Sequence, residues 1–166
     1  MKILRFLLVA TLLGLVSAQG IAREKDVDYN YEVTREDCGS CKCADPNYVI
    51  FMVYSYGKKE ATTTDICLRN AVHGIMFKGL PASGQLGAVD ALMGATPYSA
   101  HSKYFDEFFK SGYKQYISET NKGNHIVTKC AKELKVGVKV KVNVKLLKQH
   151  LRNDGILKDY KDIMMQ

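Results

Sequence analysis

The run Cys38-Gly39-Ser40-Cys41-Lys42-Cys43 sets three thiol side chains at chelating spacing. Two cysteines three apart can hold one soft metal ion or close a small exchangeable ring, so C-x-x-C-x-C could present three thiolates to zinc or form a redox pair. The fourth ligand of a tetrahedral zinc site would have to come from Cys67, Cys130 or a histidine, because no second C-x-x-C follows. Without metal the same loop is a disulfide staple, the ordinary use of clustered cysteines in an oxidising compartment. Five cysteines is an odd number, so a monomer keeps at least one thiol unless a second chain pairs with it. The main expectation is no cofactor, with zinc as the alternative and a thiol-redox or metal-binding protein as the corresponding function.

A second group could meet a partner rather than make bonds. Lys139, Lys141, Lys145 and Lys148, with Lys129, Lys132 and Lys135 close in sequence, form a basic sector suited to an acidic protein or another anionic envelope component. On a strand, the same lysines also discourage edge-to-edge pairing. The histidines His73, His101, His125 and His150 have no spacing that gathers them, and the helical period places His73 on the outer side of its helix. G-x-S-x-G, H-E-x-x-H and phosphate-cradling glycine loops are missing from the chain. Asp106 and Glu107 are adjacent and point to different sides of a helix, which makes them a poor acid/base pair. No catalytic residue is assigned, and the reading leans away from an enzyme.

The setting of these residues follows from the first 18. Basic Lys2 and Arg5, an apolar run from Phe6 to Val16 and small residues ending at Ala18 have the layout of a cleaved secretory signal. The apolar run is shorter than the roughly 20 residues a spanning helix needs. A periplasmic or secreted protein is therefore expected, not membrane-spanning once the signal is removed, and export disfavours nucleic acid as a partner. The remaining 148 of 166 residues suit one domain, and the formal charge of +7 falls to +5 without Lys2 and Arg5. Residues 19–26 read as a flexible mature terminus, 27–157 as a single domain and 158–166 as a tail.

Within 27–157, hydropathy period assigns the elements. Val27, Tyr29, Tyr31 and Val33 alternate with polar residues, which predicts a strand; residues 48–56 (YVIFMVYSY) predict a second, central one. The polar stretch between them makes a long hairpin loop carrying Cys38, Cys41 and Cys43. The stripe Thr64, Cys67, Leu68, Ala71, Val72, Ile75 predicts a helix over 59–78, stopped by Gly79 and Pro81. Residues 80–98 are rich in Gly, Ala and Pro and long for a connection, with a short helical turn expected at 88–93. A helix over 99–111 turns Phe105, Phe108 and Phe109 inward. A strand over 113–118 is expected to turn at Asn121–Asn124 into another over 125–130. Val136, Val138, Val140, Val142 and Val144 alternate with Gly137, Lys139, Lys141 and Asn143, the clearest strand of all; Asn143 can cap the helix that follows, and Gly155 with Ile156 can close it. The fold class is α+β: a small, mainly antiparallel sheet of about five strands, order β-β-α-α-β-β-β-α, with the long helix packed on one face.

The stretch YVIFMVYSYGKKEATTTDICLRNAVHGIMFKG resembles a group of small exported bacterial envelope proteins. In these, an apolar strand leads through a glycine-containing turn into a helix spaced with small residues and ending in Asn-Ala-Val and an aromatic, here Cys67, Asn70, Ala71, Val72 and Phe77. The segment VGVKVKVNVKLLKQHLRNDGI resembles the closing strand and helix of the same group. A more distant similarity is to the amino-terminal domain of flagellar assembly protein T and to the curli-export lipoprotein fold. The resemblance implies this fold, an envelope setting and a part in assembling or supporting a surface structure. It carries no functional residue over. The expected function is thus a non-enzymatic exported accessory or binding protein.

Overall fold

The computed structural model describes residues 29–35, 45–84 and 86–157. Its elements are β1 (Tyr31–Thr34), β2 (Tyr48–Gly57), α1 (Glu60–His73), α2 (Ser102–Phe108), β3 (Ile117–Glu119), β4 (Ile126–Cys130), β5 (Glu133–Asn143) and α3 (Val144–Asn153). All strand pairings are antiparallel, in the order β1-β2-β5-β3, with β4 also on β5. The chain is α+β, as its periodicities require.

β2 and β5 are the longest strands and lie side by side through their full length, from Tyr48 opposite Asn143 to Gly57 opposite Leu134. Residues directly opposite share a face. Phe51, Val53 and Ser55 therefore stand with Val140, Val138 and Val136 on one side, all buried. The small residues Cys67 and Ala71 let α1 lie close on that side, where the Cys67 thiol donates to the Val136 carbonyl at 3.2 Å and Asn70 Nδ2 to Ser55 Oγ at 3.0 Å. Buried side chains of α2 and α3, among them Phe105, Phe108, Leu147 and Leu151, join the same core cluster. Burying each such side chain stabilises the fold by roughly 1.5–3 kcal/mol.

Helix ends follow the expected chemistry. Asn143 Oδ1 accepts from the Leu146 amide at 2.9 Å and caps α3. Gly155 at φ +70° closes it, with Gly155 N–H bonded to Arg152 and Ile156 N–H to Leu151, a Schellman pair. The last turn of the long helix widens to π geometry over Gly74–Lys78, and Gly79 at φ +70° ends it.

Three local expectations are corrected. No helical turn forms at 88–93: Leu80 and Val89 bond reciprocally as a miniature hairpin, and the Leu92 and Met93 amides bond the Ile75 and Met76 carbonyls at 3.1 and 2.9 Å. Those carbonyls, left over at a helix end, hold the segment open. The strand expected over 113–118 is a 3-10 turn at Gly112–Tyr116 followed by the short β3, because Tyr113 and Tyr116, three apart, both bury. Finally, β3 and β4 do not pair with each other. Both pair with β5 as two parts of one edge, and between Glu119 opposite Val140 and Ile126 opposite Gly137, residues 120–125 face only 138–139.

Candidate functional site

The sheet side away from the core carries the residues with partner chemistry. From the register, Tyr48, Ile50, Met52, Tyr54 and Tyr56 of β2 stand in one row on it, beside Lys141, Lys139, Gly137 and Lys135 of β5. Glu32 and Thr34 of β1 flank the first row; Ile126 of β4 lies opposite Gly137. Strands alternate faces, so one sequence period of two builds both the valine core and this second surface.

The two rows are interlocked. Lys141 Nζ stands 4.0 Å from the Tyr48 ring centroid, and Lys135 Nζ lies 4.9 Å from Tyr54 and 5.7 Å from Tyr56. Lys135 also pairs with Glu32 at 2.7 Å, and the Tyr56 hydroxyl donates to the same carboxylate at 2.5 Å. The hydrogen bonds from Lys135 and Tyr56 hold the Glu32 carboxyl below its usual range, and Glu32 raises both Lys135 and Tyr56 in return. Tyr54 covers Gly137, and Met52 is buried at 2 % exposure while Ile50 is 42 % exposed. The result is an aromatic and basic surface with one acidic corner.

The lysines singled out by the sequence thus divide. Lys139 and Lys141 lie half-buried in this sheet face, whereas Lys145 and Lys148 are exposed on α3. Lys135 belongs to the face but is held by Glu32.

Of the cysteines, Cys38, Cys41 and Cys43 lie outside the described residues. Cys67 is fully buried, and burial pushes its thiol up from the usual range; Cys130 is exposed at the end of β4. Both are free thiols. Among the described residues no three His, Cys, Asp or Glu side chains gather as a metal site.

The histidines are where tertiary structure departs most from helical bookkeeping. His73 is buried, not on the outer side of α1: the chain around Tyr98 and Phe109 folds over that side. Its ring stacks on Tyr29 at 3.7 Å between centroids, and Nδ1 meets the Tyr31 hydroxyl at 2.8 Å. Burial, with Lys78 and Arg69 nearby, lowers its pKa from 6.5 to about 3, so the imidazole is neutral. His125, in the inserted segment 120–125, places Nε2 at 2.9 Å from Glu119 and Nδ1 at 3.3 Å from Glu60, which ties that insertion to the first turn of α1. His150 Nε2 lies 3.2 Å from the Tyr104 hydroxyl and 3.3 Å from Asp154. Sequence spacing could not find these pairings, since their partners stand 42 to 65 residues away, apart from Glu119 and Asp154.

The fold and this face define an α+β domain whose helices join one side of an antiparallel sheet, leaving tyrosine and lysine rows on the other. No family model, curated protein or solved structure matches the chain.

Proposed function

We propose that the chain is a non-enzymatic, exported accessory protein of the cell envelope that binds an anionic partner, an acidic envelope protein foremost, through the sheet face opposite the described helices. The observation that carries this reading is the interlocking of Lys141 with Tyr48 and of Lys135 with Tyr54 and Tyr56 beside exposed Ile50. Aromatic and aliphatic area supplies desolvation energy at an interface, and lysines steer an acidic partner to it. No helix among the described residues is long and apolar enough to cross a membrane, which suits a partner reached from the aqueous side. A part in assembling a surface structure, implied by the resemblance of residues 48–79 and 136–156, fits a protein that holds another component.

The test places a photo-crosslinking residue at Ile50 in the full chain in its native cell, with and without Lys139→Glu and Lys141→Glu together. A specific envelope protein crosslinked by the native face, and lost on charge reversal and in high salt, supports the proposal. Equal crosslinking with and without charge reversal, or turnover of a small substrate by a free monomer, overturns it.

A further inference from the structure

A depression of about 350 Å³ lies beside α3, lined by Tyr116, Leu146, Gln149, His150 and Asn153. Its volume is at the lower end of small-molecule sites. Gln149 and Asn153 are four apart on one helix, so their Cβ atoms stand roughly 6 Å apart and both side chains line the same depression. Each amide both donates and accepts. The Tyr116 oxygen accepts from Gln115 Nε2 at 2.8 Å, which leaves its O–H as a donor. Nε2 of His150 belongs to the Tyr104 and Asp154 network at 3.2 and 3.3 Å, and the Tyr104 hydroxyl donates to Asp154 at 2.8 Å, so the ring is oriented from behind. Leu146 forms an apolar lip at 44 % exposure.

Charge sets the ligand class. His150 is engaged by Tyr104 and Asp154, and no Asp, Glu, Lys or Arg among the described residues lines the depression, so neither an anion nor a cation meets a full opposite charge in its wall. The remaining polar groups are neutral and two-way, the kind that match hydroxyls which also both give and take.

We propose that this depression binds a neutral, hydroxyl-rich small molecule, a saccharide unit of one or two rings, through Gln149, Asn153 and Tyr116, with a C–H face of the sugar seated on Leu146. The site uses none of the sheet-face residues, so it stands or falls separately from the anionic-partner reading. A ligand with about a dozen heavy atoms at ordinary ligand efficiency binds with a dissociation constant on the order of 1 mM.

The experiment titrates the isotopically labelled chain with glucose, galactose, N-acetylglucosamine and their disaccharides to about 50 mM, far above that constant, with inorganic phosphate and choline as charged probes. The expected result is a saturable shift of the Gln149 and Asn153 side-chain amide resonances with at least one sugar, weakened roughly tenfold or more in Gln149→Ala and Asn153→Ala, whose unchanged backbone spectra report an intact fold. Charge reversal at Lys139 and Lys141 leaves the shift unaltered. No saturable shift with any sugar, a shift that survives both alanine variants, or shifts caused by phosphate or choline instead would overturn the proposal.

Discussion

The Tyr54 ring occupies the space in which residue 137 would carry a side chain: a Cβ on Gly137 would stand 2.5 Å from Tyr54 Cε1 and 2.8 Å from Cδ1. Glycine at this central position of β5 therefore serves its neighbour, and the ring in return covers backbone that would otherwise face water. The pair also sets the ring that Lys135 approaches at 4.9 Å.

Gly137→Ala is expected to destabilise the protein by about 1–3 kcal/mol, as overpacking does. In a Tyr54→Ala background the same substitution is expected to cost little, since the clash is gone. Urea denaturation of the four proteins checks this, and additive effects would refute the pairing.

His73 makes stability depend on pH. Its folded pKa is lowered to about 3 from 6.5, chiefly by burial, so the unfolded chain binds the extra proton between those values. Stability is then fully present above about pH 6.5 and falls by about 1.4 kcal/mol per pH unit as the pH drops toward 3. His73→Phe is expected to be less stable at pH 7, where Tyr31 loses its partner, yet to have a shallower slope from pH 6.5 to 4.5. Parallel slopes for the two proteins would remove His73 as the cause.

Asn121 replaces the ladder bonds that the insertion interrupts. Its Oδ1 accepts from the Lys139 amide at 2.8 Å, while its Nδ2 donates to the Asn124 carbonyl at 3.0 Å. Asn121→Ala is expected to cost about 1–3 kcal/mol by leaving the Lys139 N–H without that acceptor. Hydrogen exchange at Lys139 should accelerate most in this variant; unchanged protection there would contradict the assignment.

Thiol reactivity should separate the two described cysteines. Cys130 is exposed, whereas Cys67 is buried with a raised pKa and its thiol bonded to Val136. With iodoacetamide under native, reducing conditions, Cys130 should alkylate and Cys67 should not until denaturant is added. Mass spectrometry of the two peptides gives the answer, and early modification of Cys67 would mean that α1 opens from the sheet.

Local chemistry alone determined most of the architecture. The valines of β5, the Cys67–Ala71–Ile75 stripe, the Asn143 cap and the Gly155–Ile156 closure all stand where a period of two, a period of 3.6 or a capping rule puts them, because each depends on neighbours a few residues away. The lysines of β5 were equally legible as one face. What covers a helix or splits a strand is a long-range fact. His73 is buried because the segment bearing Tyr98 and Phe109 crosses the side of α1 that its own sequence marks as outer. β3 and β4 share one edge because six residues between them find bonds to β5 and α1, through Asn121 and His125, that no turn signal encodes. Tyrosines of β2 meet lysines of β5 only through a register set between strands about 80 residues apart, and His150 gains Tyr104 only when α2 packs against α3. Periodicity names the face on which a residue stands; only the packed chain decides what meets it there.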